Sequence, residues 1–283
     1  MTTSPQPKWP FPTLFAHRGG GRHAPENTLA AMKEGRAQGF LAVEFDVKLS
    51  RDTVAFLLHD DTLDRTTDGS GAARERTIAE LEHLHANRGH EAAFPGEPVP
   101  RFTTVAKYLH GLGLLANVEI KPCPGREAET GRLVAELAME LWRDRFVKPL
   151  LSSFSADALA AARAVSSDLP LGVLCDAPEA AHWELARALG AVSLHCNHRQ
   201  VDADLVRTCH ARGLRLLVWT VNDLSRASEL LRLGVDGLFT DELAAMAKAF
   251  PAQLGDAGKP MSDPVEDMVA DWTAIPPPMP PAE

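Results

Sequence analysis

Two short segments carry charge on every second residue of an otherwise apolar run: Glu44-Phe45-Asp46, and Asn117-Val118-Glu119-Ile120-Lys121. Successive side chains of a strand point to opposite faces, so Glu44 and Asp46 share one face, and Asn117, Glu119 and Lys121 share another. Three carboxylates aimed into a core need pairing, or a cation among them, to offset their lost hydration. A donor set of carboxylate oxygens alone suits a hard divalent ion, Mg2+ or Ca2+ with Mn2+ acceptable, and not zinc, which draws on nitrogen and sulfur. The competing arrangement is a salt-bridge network, Glu44 with Lys121 or Asp46 with Arg18. A shared cation is preferred over it, because two carboxylates on one strand face repel each other.

Other reactive residue types fall close to these segments. His17 and His59 form a natural proton-transfer pair, since one neutral and one protonated imidazole can act as base and acid near neutral pH. Either histidine taken singly would read as structural; two converging on one carboxylate cluster read as functional. Arg18 and Lys121 are suited to a phosphoryl group, the arginine by a two-pronged contact and the lysine as a point charge. They would serve equally to balance the three carboxylates. Trp219 ends an apolar run and either lines a substrate cavity or belongs to the core. His195 alternates with Ser193 and can face inward, but no role follows for it, for Asn197 or for His198. His23, His83, His85, His90 and His110 read as surface or cap residues.

Positioning these groups requires strands whose ends meet. Apolar runs at residues 14–17, 41–47, 114–120, 150–153, 171–174, 192–195, 214–219 and 237–240 alternate with helical patterns such as 28–38, 157–165, 178–189, 203–212 and 224–233. Strands alternating with helices indicate a parallel sheet, and eight of them close a (β/α)8 (TIM) barrel, an α/β fold. A ninth run, 54–59, follows the second strand too closely for a parallel crossover, so it must return antiparallel as a hairpin. With its turn near residues 51–53, that hairpin brings His59 back approximately opposite Asp46. In such a barrel the reactive groups gather at the carboxyl ends of the strands. Those ends hold His17, Arg18, Glu44, Asp46, Glu119, Lys121, His195, Trp219 and Asp241.

The bulk properties agree. The chain has 283 residues, 45% apolar and 24% charged, within the range of ordinary globular proteins. The expected division is a barrel domain over residues 1–250, with a cap insertion at about 60–100, and a Pro-rich, extended tail over 251–283. Within that tail Val265, Met268, Val269 and Trp272 have the spacing of a short docked helix. A net charge of −9 argues against nucleic acid as a partner. No run approaches the roughly 18 apolar residues of a membrane span. The proline-rich start is unlike a secretory signal, and Cys123, Cys175, Cys196 and Cys209 lack disulfide or metal spacing, so a cytoplasmic protein with reduced thiols is expected.

Several ordered motifs resemble one family: Ala16-His17-Arg18-Gly19-Gly20, Ala24-Pro25-Glu26-Asn27-Thr28, Glu44-Phe45-Asp46-Val47, Leu58-His59-Asp60-Asp61, Arg65-Thr66-Thr67 and Asn117-Val118-Glu119-Ile120-Lys121. The likeness continues through Trp219-Thr220-Val221-Asn222, Gly234-Val235-Asp236-Gly237 and Thr240-Asp241. The chain resembles the glycerophosphodiester phosphodiesterases, nearest the bacterial cytosolic type.

The resemblance implies a barrel of the phospholipase-C-like phosphodiesterase type and metal-dependent hydrolysis of glycerophosphodiesters, such as glycerophosphocholine or glycerophosphoethanolamine, to sn-glycerol 3-phosphate and an alcohol. It puts the metal carboxylates on Glu44, Asp46 and Glu119, the catalytic histidines on His17 and His59, and phosphate contacts on Arg18 and Lys121, while Glu26 and Asn27 shape the loop after the first strand. By analogy with related barrel phospholipases, His17 is the base and His59 the acid. Two departures from the family pattern stand out: Asp52-Thr53 occupies a hairpin turn that is usually Asp-Gly, and no proline follows Asp241. Alternatives are a lysophospholipase D, which would need a greasy channel that the polar 60–100 segment does not offer, and a catalytically silent binding barrel, which would not need both histidines and all three carboxylates. A sugar-cleaving barrel built on Glu44 and Glu119 would leave the histidines, Arg18 and Lys121 unexplained.

Overall fold

The computed structural model describes residues 9–255. The first prolines of the chain and the expected tail helix around Val265 to Trp272 lie outside the described residues. Nine strands are present among those described: β1 (Leu14–Ala16), β2 (Ala42–Leu49), β3 (Ala55–Leu57), β4 (Leu115–Ile120), β5 (Leu150–Ser153), β6 (Leu171–Cys175), β7 (Ser193–Asn197), β8 (Arg215–Trp219) and β9 (Gly237–Thr240). Eight of them, all but β3, pair in parallel in chain order, and β9–β1 and β1–β2 contacts close the ring. The expected barrel is what the chain forms. Between and around the strands run α1 (Leu29–Ala37), α2 (Ile78–Glu82), α3 (Phe102–Leu112), α4 (Glu127–Leu141), α5 (Ala156–Val165), α6 (Ala180–Leu189), α7 (Ala203–Ala211), α8 (Leu224–Leu233) and α9 (Leu243–Ala249).

Strand β2 shows why alternation here means a barrel wall. Its eight residues are all buried, so both faces are covered. Val43, Phe45, Val47 and Leu49 belong to the large core that also contains Phe102, Val105 and Leu109 of α3, and the Phe45 and Phe102 rings sit 6.1 Å apart. The opposite face carries Glu44 and Asp46. A second cluster, Phe11, Phe15, Ala42, Leu150, Leu217 and Phe239, with Trp9 packed against it, fills the other end of the barrel interior. The lumen is therefore apolar toward the amino ends of the strands and polar toward their carboxyl ends.

The hairpin forms where β1 runs out. Ala16 of β1 pairs with Val43, and beyond that point β2 loses its neighbour until β3 pairs antiparallel with Val47, Lys48 and Leu49. The turn joining β2 to β3 closes with the Thr53 N–H donating to the Ser50 carbonyl at 3.0 Å and the Ser50 N–H to the Val54 carbonyl at 3.0 Å. Thr53 takes φ = +62°, a left-handed conformation that costs a β-branched residue about 1 kcal/mol or more. Thr53→Gly is accordingly expected to stabilise the fold by about 1 kcal/mol, read as a higher urea midpoint at unchanged m-value.

The segment between β3 and α3 builds its own small core from Leu58, Leu63, Ala73, Ile78, Leu81, Ala86 and Val99, together with Phe56 of β3. After α9, Pro251–Gln253 form a 3-10 turn, and the Gln253 carbonyl accepts from the Thr13 N–H at 3.1 Å. No helix among the described residues is long and apolar enough to cross a membrane, and Cys123, Cys175, Cys196 and Cys209 are free and buried.

Candidate active site

Parallel pairing of β2 with β4 sets Glu44 beside Asn117 and Asp46 beside Glu119. One carboxylate oxygen from each of Glu44, Asp46 and Glu119 lies within 4.8 Å of the others, and all three residues are buried. Each is held by a neighbour. The Arg18 backbone N–H donates to Glu44 Oε2 at 3.0 Å. Asn27 Nδ2 donates to Asp46 Oδ2 at 2.9 Å, and the Asp46 N–H donates back to Asn27 Oδ1 at 3.0 Å. Lys121 Nζ donates to Glu119 Oε1 at 2.7 Å.

The electrostatics leave this cluster short of positive charge. Burial, and after it the Asp46 charge, pushes the Glu44 carboxyl up to about 8. The same two causes push Glu119 up to about 7. Asp46 is equally buried yet moves down, because Lys121 and Arg18 outweigh the loss of hydration. The alternative salt-bridge network is thus only partly realised: Lys121 Nζ is 3.6 Å and Arg18 Nε 3.7 Å from Asp46. Two carboxyls that resist ionisation, beside one that does not, suit a hard divalent ion, whose charge would let all three ionise.

His17 follows β1, and its Nδ1 donates to Asp241 Oδ1 at 2.7 Å, directly beyond β9. Asp241 is itself fixed by Asn222, whose Nδ2 donates to Oδ2 at 2.8 Å and whose Oδ1 accepts the Asp241 N–H at 2.8 Å. Burial works to lower the His17 pKa, but the Asp241 bond and the Glu44 charge overcome it, and the net shift is upward. His59 leaves the hairpin one residue later than expected. The Leu58 N–H, not that of His59, reaches the Asp46 carbonyl, at 3.2 Å. The β2–β3 pairing aligns Val47 with Leu57, so His59 sits one step past Asp46. Its Nδ1 bonds Asp60 Oδ1 at 2.7 Å, and burial carries its pKa down.

Both imidazoles line one cavity of about 230 Å3 with Arg18, Lys121 and Trp219. Its apolar wall is Phe154, Leu174 and Phe239, and the Trp219 and Phe154 rings meet edge to face at 5.7 Å. Four buried polar atoms on lining residues have no partner: Arg18 Nε, Asn117 Oδ1, His195 Nδ1 and Trp219 Nε1. Unmatched buried polar atoms are costly and point to a polar ligand or ordered water. His195 is held neutral, its pKa pushed down to about 3 by burial, while its Nε2 bonds Ser193 Oγ at 2.9 Å. Gly172 faces this pair, and a Cβ there would meet His195 Nε2 at 2.5 Å.

Residues 17–245 match the model of the glycerophosphoryl diester phosphodiesterase family. A glycerophosphodiester phosphodiesterase of Caldanaerobacter subterraneus subsp. tengcongensis is 31% identical over 233 residues, which are 81% of this chain and 93% of that one. The chain belongs to the glycerophosphoryl diester phosphodiesterase family. Among solved structures, an Oleispira antarctica phosphodiesterase in complex with the product sn-glycerol-3-phosphate superposes with a TM-score of 0.80 at 33% identity, covering 85% of this chain and 97% of that one. A glycerophosphodiester phosphodiesterase from Agrobacterium tumefaciens gives 0.71 at 27% identity, covering 83% and 99%. Membership in this phosphodiesterase family makes the chain a phosphoric diester hydrolase.

The geometry also brings in residues that sequence reasoning passed over. The strand-end list included Asp241, but nothing local linked it to His17. Asp60 follows His59 directly, and that adjacency was the available signal for the contact between them. Arg65 stood in a motif with no chemistry attached to it. Asn197 and His198 turn away into a 3-10 turn, where Asn197 Oδ1 accepts the Arg199 N–H at 3.0 Å.

Proposed function

We propose that this phosphodiesterase hydrolyses a glycerophosphodiester with a small head group to sn-glycerol 3-phosphate and the free alcohol, by proton transfer between His17 and His59. The observation that carries the reading is the pair of carboxylate-held imidazoles, His17 with Asp241 and His59 with Asp60, facing one cavity beside Arg18 and Lys121. In each pair the carboxylate holds the proton on Nδ1 and leaves Nε2 for the substrate. Glu44, Asp46 and Glu119 would hold one divalent cation, Mg2+ or Ca2+ with Mn2+ acceptable, which when bound would supply positive charge against the phosphoryl oxygens.

Arg18 and Lys121 would grip the same phosphate, and Arg18 Nε, which makes no hydrogen bond, is a donor open to it. Trp219 Nε1, His195 Nδ1 and Asn117 Oδ1 offer the glycerol hydroxyls donors and an acceptor deeper in the cavity. That orientation puts the head group at the mouth. The His59 side chain is 30% exposed and that of His17 18%, so His59 is assigned the leaving alcohol as acid, and His17 the nucleophile as base once a cation among the carboxylates would oppose the Glu44 charge that raises its pKa. The net reaction adds water across the P–O bond to the alcohol. The product seen in the Oleispira protein supports glycerol 3-phosphate as the retained half.

A lysophospholipase D is disfavoured, because Leu63, Ile78, Leu81 and Val99 of the 60–100 segment are spent on its own core and no residue of that segment lines the cavity. A silent binding barrel would have no use for two oriented imidazoles. Four free buried thiols are in keeping with work in the cytoplasm. The test is an enzyme-coupled assay for glycerol 3-phosphate with glycerophosphocholine and glycerophosphoethanolamine. Release that stops on chelation and resumes with Mg2+ or Ca2+ is expected; absence of glycerol 3-phosphate, or release indifferent to chelator, refutes the proposal.

A further inference from the structure

The Arg65-Thr66-Thr67 motif has no place in the mechanism above, since none of its side chains lines the cavity. Its backbone is nonetheless tightly anchored. Thr67 is buried, its Oγ1 donates to the Leu63 carbonyl at 2.8 Å and accepts the Gly69 N–H at 3.0 Å, and the Thr66 carbonyl accepts the Arg88 N–H at 3.2 Å. From this base Arg65 reaches two carboxylates at once. Its Nε and Nη2 donate to Asp60 Oδ2 and Oδ1 at 2.6 and 3.0 Å. Its Nη1 and Nη2 donate to Glu26 Oε2 and Oε1 at 2.7 and 2.8 Å.

Each carboxylate carries a second burden. Asp60 Oδ1 holds His59 Nδ1 at 2.7 Å, and Glu26 Oε1 holds Arg18 Nη1 at 2.7 Å. We infer that Arg65 is a positioning residue: through Asp60 and Glu26 its guanidinium sets the proton-transferring His59 and the phosphate-facing Arg18 in one fixed relation. The inference rests on the proposed roles of those two residues. A single half-exposed ion pair would be worth little, but the side chain here makes four charge-assisted bonds in a fork that only a guanidinium can supply.

Two consequences follow from the chemistry. First, the Arg65 bonds hold Asp60 well below the usual carboxylate range, so Asp60 stays ionised and orients the imidazole without taking its proton. Second, Arg65 offsets one of the two negative charges of Glu26 and Asp60 beside a site that must admit an anion. Charge loss at Arg65 therefore weakens substrate binding, and loss of the fork lets His59 and Arg18 drift relative to each other.

The experiment compares Arg65→Gln and Arg65→Lys in the full-length, metal-loaded enzyme, with Arg88→Met as an exposed control on the same segment. Arg65→Gln is expected to lower kcat/KM by about 10- to 100-fold, as displacement of catalytic groups by about 1 Å does, with KM raised. Arg65→Lys keeps the charge without the fork, so KM stays close to wild type while kcat stays low. The His59 limb of the pH profile should move to higher pH in Arg65→Gln, because the Asp60 charge then bears on the imidazole alone. The other charged groups facing His59, namely Asp46 on β2, Arg18 after β1 and Lys121 after β4, keep their charges in this variant. Methylguanidinium added to Arg65→Gln should recover part of the activity, and this readout serves even where the variant is less stable. Wild-type kinetics in both variants would overturn the inference, as would activity lost only in proportion to thermal stability with an unmoved pH profile. Failure of the underlying reading would be seen elsewhere, in a wild type that releases no glycerol 3-phosphate or in a fully active His59→Ala.

Discussion

His59→Ala is expected to lower kcat/KM for glycerophosphocholine by about 10²- to 10⁴-fold, the range typical of losing a general acid or base. His59 is the imidazole nearest the mouth, and its other nitrogen is committed to Asp60. The cationic side chains that line the cavity, Arg18 and Lys121, are both held above their ordinary pKa values by the carboxylates beside them, despite burial working the other way, and cannot deliver a proton at neutral pH. The fold should barely register the change. The ring is partly exposed and its hydrogen bond is to the adjacent residue, so the melting temperature should move by no more than a few degrees. A substrate with a nitrophenol head group, which leaves without protonation, should recover most of the lost rate. His17→Ala should be as damaging with either substrate, since the base is needed whatever leaves. The double variant should be little worse than either single one with the natural substrate. Activity of His59→Ala within threefold of wild type would remove His59 from the mechanism.

The second large effect concerns stability. Glu44 and Glu119 have folded pKa values of about 8 and about 7 without a cation. A carboxyl whose pKa is higher in the folded chain binds its proton more tightly there. It gives its full stabilisation below the unfolded value of about 4.3 and loses it as pH rises through the folded value. Metal-free protein should therefore lose melting temperature steadily between pH 5 and 8, where ordinary surface groups would leave a plateau. Saturating Mg2+ or Ca2+ should remove that slope, and at about 100 times Kd it adds about 2.7 kcal/mol by mass action. Glu44→Gln separates the two influences. It should stabilise the metal-free chain at pH 8 by deleting a buried charge, while abolishing the cation-induced shift and the activity. Calorimetry across pH with and without chelator reads both outcomes; a flat metal-free profile, or a cation shift retained in Glu44→Gln, would mean that the three carboxylates are not the metal site.

Much of this was legible because it is written at a period of two. Glu44, Asp46 and Glu119 announced a charged inner face from alternation alone, and β2 with β4 puts them side by side because strands of one barrel share that period. Counting strands was enough to require a hairpin, since six residues cannot make a parallel crossover. Register was not legible to one residue. The turn places Thr53 in a left-handed conformation and sets Leu58 across from Asp46, and that choice depends on backbone detail which hydrophobic patterning does not encode.

By itself, then, the sequence determined the element order, the inward carboxylates and the residue types available for phosphodiester chemistry, all of which rest on local periodicity and side-chain chemistry. Only the tertiary structure decided which partner each reactive group has. His17 finds Asp241 across a separation of 224 residues, because barrel closure pairs Ala16 with Thr240 and so brings the next residue of each strand together. Arg65 meets Glu26 from 39 residues away because the segment after the hairpin folds back against the loop after β1. His195 becomes a neutral cavity-lining group by burial at the centre of the barrel. Contacts of this kind arise when the ring closes, and no window of adjacent residues contains them.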